Sequence, residues 1–475
     1  MKRKHAYSSK ILAVLLCIGI MLTLSVALPP AYAARDAIKE ISGSPYTTLV
    51  VTEGGELWAS GSNANGEFGN GTKTNTATWV KILSDVKTAS AGYYHIIAVK
   101  NDGTLYAAGA NNNHQFGISL SESLEWIQVL DNVASVAANY RHSFALKTDG
   151  TLWATGYNNY GHLGTGSTAT VRTWTQVLSD VASIKTASGH SLALKTDNSV
   201  WATGYNISGQ LGNNTYTSKS TWQRVMTDAK AIETGVSCSF IIKNDNSLYV
   251  AGANNNGQIG LGTTAKVSGW NKILTDVVSV SAYNHTLAVK TDGTLWFTGL
   301  VKGYSNDGTI PDNLKVFTQT NKTDAAKTYI NMNRSFVFLS NGNVIACGYS
   351  GDGTLGNGTI NTQNVWFPVT LGPDGFIVDF ETFDGTVIPS QNITDGSIVE
   401  RPANPEKEGY IFAGWYSDEA YLTQYDFNTP VASDMTLYAK WVPVSSGNNE
   451  QIKIIITFET FDGTVIPSQN ITDGS

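Results

Sequence analysis

The residues best equipped for chemistry recur at one phase of the chain. His95, His142, His190 and His285 each open the same kind of segment, as in "HSFALKTDGTLWATG" from His142 and "HSLALKTDNSVWATG" from His190. Imidazole titrates near neutrality and is a common metal ligand, so four equivalent copies raise a metal centre or acid–base catalysis. The same phase carries Thr47, Cys238 and Arg334 in the other copies. Equivalent positions of successive units lie on separate units, so each His is expected to satisfy the turn of its own unit. His114 and His162 fall in the loops between. No Ser/His/Asp or Cys/His grouping follows from the spacing. Asp102, Asp149 and Asp292 precede glycine, and Asp85, Asp180, Asp228 and Asp276 recur between units. Both sets read as turn formers. The stretches "SNDGTIPDN" from Ser305 and "SGDGTLGNG" from Ser350 lack the twelve-residue calcium pattern with its terminal Glu. No glycine run opens a phosphate-binding helix. The expectation is a chain with no catalytic residue, no metal and no cofactor.

The elements that carry these residues are set by an internal repeat. One aromatic marker falls at Trp58, Tyr106, Trp153, Trp201, Tyr249 and Trp296, with Ile345 as its aliphatic seventh copy. A second falls at Trp79, Trp126, Trp174, Trp222, Trp270, Phe317 and Trp366. Both count seven units of 47 to 49 residues. Each unit reads as four short strands, in the third copy roughly 134–138, 143–148, 152–156 and 174–178, with Asp149-Gly150 as a hairpin turn. A period near 48 with four strands describes a propeller blade. The fold class is therefore all-β, a seven-bladed β-propeller over residues 38–372. Trp153, Trp201 and their equivalents are expected to pack between blades. The final strand, "NVWFPVT", is expected to complete the first blade as a closing strap.

The N-terminus carries Lys2, Arg3, Lys4 and Lys10, an apolar run from Ile11 to Leu28, and small residues at Ala31 and Ala33. This is the pattern of a secretory signal peptide, residues 1–33, with Cys17 discarded with it. The formal charge of −7 becomes more acidic once those four basic residues are removed. Nucleic acid is not an expected partner, because its recognition rests on a cationic surface. Contact with a membrane is expected only through the signal peptide before cleavage. Cys238 and Cys347 remain, too few for a disulfide scaffold, and read as small core residues.

The repeats resemble the regulator-of-chromosome-condensation repeat. Its G-x-L-G signature stands at Gly161-His162-Leu163-Gly164 and Gly209-Gln210-Leu211-Gly212, with variants at 66–69 and 257–260. The sixth copy departs, running "GLVKGYSNDGTIPDN" from Gly299. The founding members of that family exchange nucleotide on a nuclear GTPase, a partner that an exported acidic chain would not meet. The resemblance instead implies a scaffold that binds other proteins with one face, as a secreted β-lactamase-inhibiting member does. Residues 376–442 resemble the Listeria-Bacteroides repeat of internalin-type surface proteins, a small β-grasp-like module, through Gly409-Tyr410, Gly414-Trp415-Tyr416 and the closing "LYAKW" from Leu437. Residues 443–456 read as a linker. Residues 458–475 repeat 380–397 without a change, so 457–475 reads as the start of a second module within a longer protein, expected to be poorly ordered from about Ser445.

Strand parity divides the propeller's two ends. Asp-Gly hairpins and the connections between blades share one; the turns before each His and the G-x-L-G loops share the other. The second varies most and is rich in Tyr, with Arg and Asn, residue types that anchor interfaces. The expected binding residues are Tyr93, Tyr94, Tyr140, Arg141, Tyr157, Tyr160, Tyr205, Tyr283, Asn284 and Arg334. The functional expectation is a secreted or cell-wall-associated, non-catalytic binding protein, engaging an extracellular protein or glycan, its C-terminal modules acting as surface spacers. A soluble inhibitor of an extracellular enzyme and an exported hydrolase or lyase are the alternatives.

Overall fold

The computed structural model describes residues 37–300, 314–371 apart from Asn333, 376–444 apart from several short gaps, and the strands Ile454–Glu459 and Val465–Ile471. The segment expected to be a signal peptide and most of the expected linker lie outside these residues. The chain divides into two units, residues 1–373 and 374–475.

In the first unit, seven four-stranded antiparallel sheets follow one another, each from one contiguous stretch: 38–83, 86–130, 133–178, 181–226, 229–274, 277–319 and 325–368. They are blades 1 to 7. The second strand of each blade is the most buried, as at His142–Lys147, where the first five residues are all inaccessible. Its neighbours pair in fixed register, His142 opposite Gly156 and Ala145 opposite Trp153. The turn that follows is an Asx turn, in which Asp149 Oδ1 accepts hydrogen bonds from the N–H and hydroxyl of Thr151, 2.9 and 2.6 Å away. Between blades, Asp85, Asp180, Asp228 and Asp276 adopt φ of 57 to 64°, the left-handed region Asp tolerates.

Neighbouring blades are joined by the G-x-L-G loops. In blade 3 the Asn158 amide organises the loop: its Oδ1 accepts from the Leu163 N–H at 2.9 Å, while Nδ2 donates to the Ser167 and Ala169 carbonyls. The same Asn serves at positions 63, 111, 206 and 254. Leu163 is thereby driven into the core. The final glycine lies on the second aromatic marker of the next blade: Gly69 on Trp126, Gly117 on Trp174, Gly164 on Trp222, Gly212 on Trp270 and Gly260 on Phe317. A Cβ on Gly164 would come within 2.2 Å of Trp222 Nε1, and its φ of 74° disfavours any side chain. Gly164→Ala is expected to cost about 2–4 kcal/mol, adding overpacking to left-handed strain. Gly166→Ala, with the same backbone strain but its nearest neighbour 3.9 Å away, should lose only the smaller part. Equal denaturation midpoints for the two variants would refute the clasp.

The first aromatic markers are less buried than expected. Trp201 packs on the cluster between blades 3 and 4, but these rings are half-exposed and lie beneath lysines, Lys147 Nζ 4.7 Å from the Trp153 centroid and Lys195 Nζ 5.0 Å from that of Trp201. The more buried apolar anchors include the second-marker residues Trp79 and Trp222. Cys238 and Cys347 are buried and form no disulfide.

The closing strap is not present. Ile38–Gly43 is already the inner strand of blade 1 and Thr76–Leu83 its outer strand, so blade 1 is complete. Gln363–Pro368 pairs instead with Val344–Gly348 inside blade 7, Gly348 opposite Gln363. Closure uses the same clasp as the junctions from blade 1 to blade 6: Gly356 lies against Trp79, Thr78 bridges Asn357, and the Ser60 hydroxyl donates to the Gly353 carbonyl at 2.6 Å.

The second unit holds a mixed four-stranded sheet in the order Gln391–Ile393, Phe376–Glu381, Met435–Pro443, Tyr410–Tyr416. Its two central strands, Phe376–Glu381 and Met435–Pro443, pair in parallel, Phe380 opposite Leu437. Trp415 is buried against Phe380 and Phe412. The repeated copy does form structure: Ile454–Glu459 and Val465–Ile471 pair as an antiparallel hairpin, because a β-rich segment can satisfy its ladder locally.

Candidate functional site

The antiparallel blades bring the inner-to-second strand turns and the G-x-L-G loops to one end of the propeller, and there the tyrosines meet. Tyr93 and Tyr94 come from the blade 2 turn, Tyr140 and Arg141 from that of blade 3, Tyr157 and Tyr160 from the blade 3 loop, and Tyr205 from the start of the blade 4 loop. Ring centroids lie 5.0 Å apart for Tyr93–Tyr140, 5.6 Å for Tyr140–Tyr157, 6.4 Å for Tyr157–Tyr160 and 5.0 Å for Tyr160–Tyr205. Most contacts are edge-to-face, the arrangement ring quadrupoles favour. Arg141 places its guanidinium 5.0 Å from the Tyr140 ring and 5.7 Å from the Tyr94 ring. Tyr283, from blade 6, lines the central channel together with Tyr93, and burial raises its phenol pKa. Asn284 is half-buried beside it.

Arg334 is a correction. It occupies the phase of the buried histidines and is itself fully buried. Its guanidinium donates to the carbonyls of Ser44, Pro45 and Thr47 and to the Thr354 hydroxyl, joining blade 7 to blade 1. It lines no exposed surface. Tyr46 was missed. It sits 5.9 Å from Tyr93 and stacks 6.1 Å from Tyr94, extending the row onto blade 1. Its signal was its place immediately before Thr47, the blade 1 counterpart of the histidines. Tyr349, exposed at the start of the blade 7 loop, holds the position of Tyr157 and Tyr205.

The histidines do not serve their own turns as expected; each reaches the next blade. His95 Nε2 lies 2.9 Å from Ser143 Oγ, His142 Nε2 2.7 Å from Thr186 Oγ1, His190 Nε2 3.0 Å from Ser239 Oγ and His285 Nε2 2.8 Å from Ser335 Oγ. Burial drives His95 down to a pKa of about 3 and His190 and His285 to about 4, with His142 well below the usual value. They are neutral cross-blade struts. His162 packs 4.4 Å from His142, ring to ring, under Tyr157 and Tyr160, and burial lowers it to about 3. Among the described residues no three His, Cys, Asp or Glu side chains converge as metal ligands.

Inside the ring, a cavity of about 470 Å³ follows the inner strands. Ser, Thr and Ala are prominent in its wall, and Glu40, Lys185, Glu233 and Lys327 also line it. Lys185 Nζ pairs with Glu233 Oε2 at 2.8 Å. Burial raises the Glu40 carboxyl, against the pull of Thr88, Lys327 and Lys185. In the sequence these charges sit at alternate positions of strands that read as solvent-facing.

The fold and the repeats define a β-propeller of regulator-of-chromosome-condensation type. Models of that repeat, RCC1, match residues 86–115, 133–161 and 149–194, and the Listeria-Bacteroides repeat domain matches 376–440. The chain thus carries RCC1 repeats within its propeller and a Listeria-Bacteroides repeat in its second unit. Similar solved structures include human WBSCR16, 17% identical, covering 64% of this chain and 86% of that one at a TM-score of 0.57. Prp20p from Saccharomyces cerevisiae is likewise 17% identical, covering 70% and 87% at 0.59. At such identity the likeness is one of fold. Among curated proteins, one from Evansella cellulosilytica named as a membrane protein is 45% identical over 67 residues, 14% of this chain and 10% of its own. Internalin H of Listeria monocytogenes is 36% identical over 63 residues, 13% and 12%. The chain spans about a tenth of the length of these relatives.

Proposed function

We propose that this is a non-catalytic binding protein of the cell surface or its surroundings, whose tyrosine-lined propeller end engages an extracellular protein or glycan. The C-terminal module acts as a spacer. The observation that carries the reading is the continuous row of tyrosines over blades 1 to 4, half-buried at its roots and exposed at Tyr160. Tyr offers broad amphipathic contact with few rotatable bonds, and rings already packed against one another lose little freedom on binding. The likeness to internalin H and to a membrane protein supports a surface location. Prp20p, whose binding to Gsp1p and histones has been studied, is an instance of the same fold serving as a binder.

Replacing Tyr46, Tyr94, Tyr140 and Tyr160 together with alanine is expected to reduce retention of the immobilised protein's cell-envelope ligand at least 100-fold, at the level of interface hot spots. Unchanged retention by a variant with an unaltered circular dichroism spectrum would reject this end of the propeller.

A further inference from the structure

The shape of the tyrosine surface narrows the ligand. Ring contacts run in a single file from Tyr46 through Tyr93 and Tyr94, Tyr140, Tyr157 and Tyr160 to Tyr205, in steps of 5.0 to 6.4 Å. The file is one ring wide over most of its length and curves around a polar channel mouth that includes Asn139, Ser188 and Asn331. A protein partner of ordinary affinity needs a broad patch, roughly 800 Å² per side with a desolvated apolar centre. A file of rings suits an extended chain instead.

Charge narrows it further. Arg141 spends its guanidinium on the Tyr94 and Tyr140 rings, and the acidic group acting on Tyr46 is the single carboxylate of Asp352. No run of one sign accompanies the file to meet a polyanion or a polycation. Aromatic faces are electronegative and attract weakly positive C–H groups. Six-membered sugar rings with equatorial substituents present flat C–H faces, and in a file whose neighbours stand edge-to-face it is alternate rings that can offer a face to them. Phenol hydroxyls and asparagine amides along the edge match sugar hydroxyls.

We infer that the tyrosine file is a subsite for an extended, uncharged polysaccharide of such sugars, lying across blades 1 to 4. This rests on the reading that this end of the propeller binds. The test uses the full chain, titrated calorimetrically with cellohexaose and with the hexamer of β-1,4-linked N-acetylglucosamine, beside a pull-down on protease-stripped cell wall. At least one probe is expected to bind. Tyr94→Ala and Tyr160→Ala should each weaken that binding tenfold or more, Tyr160→Trp should keep it, and Tyr410→Ala in the C-terminal unit should leave it unchanged. If none of the three probes binds while untreated envelope is retained through these tyrosines, the glycan assignment fails and the binding surface stands. If a glycan probe binds with the tyrosine variants unaffected, or if envelope retention is indifferent to them, the file is not the site.

Discussion

Acidification from pH 7.5 to 5.5 is expected to lower the propeller's unfolding free energy by roughly 7 kcal/mol, long before its carboxylates titrate. Five histidines, His95, His142, His162, His190 and His285, are held neutral by burial with pKa values depressed well below 6.5. Between that value and their folded values, near 3 to 4 where stated, the unfolded chain binds protons that the folded chain refuses. Stability therefore rises with pH through this window and falls as pH drops below 6.5. One unit below it, each group costs about 1.4 kcal/mol. Glu40 and Glu67 act oppositely, since burial raises both carboxyls and folding then favours their protonated forms. They soften the acid limb without reversing it. The hairpin aspartates, fully exposed and lowered mainly by the hydroxyl and N–H of the following Thr or Ser, titrate below the window. Denaturant midpoints measured at pH 7.5, 6.5 and 5.5 decide the matter, and a flat profile would mean that these imidazoles are solvated. His162→Gln should recover part of the loss. The ring nitrogens of His162 make no well-formed hydrogen bond, the Tyr157 backbone being the near neighbour. At the same loop position Gln210 and Gln258 each accept from the N–H two residues before, at 3.1 and 2.9 Å.

The periodic part of this design is visible in the chain because blades are equivalent: two aromatic markers and the G-x-L-G loops recur on one period, and both are packing devices. What recurs cannot say where the ring opens. The repeat phase pointed to a strap between blades 7 and 1, and the pairing of Thr76–Leu83 within blade 1 and of Gln363–Pro368 within blade 7 overturns it. The histidines were recognised as equivalent, but their partners lie one blade away, at an angle that spacing does not encode. The alternating polar residues of the inner strands imitate a solvent-facing pattern, which concealed Glu40, Lys185, Glu233 and Lys327 in the channel. Seven of the nine accessible site residues are joined in one aromatic cluster by ring or cation contacts, Tyr283 and its neighbour Asn284 lying beside it. Tyr46 escaped because its neighbour is Thr47 and not His, whereas Arg334 was included for its residue type although its phase marks it as buried.

That burial makes the junction between blades 7 and 1 a sensitive point of the ring. Arg334→Ala is expected to destabilise the propeller by about 3–5 kcal/mol. It strands the Ser44 and Pro45 carbonyls, which the guanidinium now satisfies, while the Thr47 carbonyl keeps the Ser44 N–H; each buried polar group left unpaired costs about 1–3 kcal/mol. It also empties a side-chain volume at a site with no exposure. Arg334→Lys should recover little, because one ammonium cannot reproduce a planar fork aimed at several acceptors. Arg334→His should recover more. In three other blades the residue at this phase bonds the hydroxyl that follows the equivalent position in the next blade, as His285 does Ser335. Across the closing junction that hydroxyl is Thr48 Oγ1, buried and without a hydrogen-bond partner among the described residues. A histidine there could take up the same strut, at the cost of adding one more acid-sensitive group. The expected order of denaturation midpoints at pH 7.5 is wild type, Arg334→His, Arg334→Lys, Arg334→Ala, with the His variant losing its advantage by pH 5.5. A His variant no better than Ala at the higher pH would show that the closing junction has its own geometry and is not a seventh copy of the blade contact.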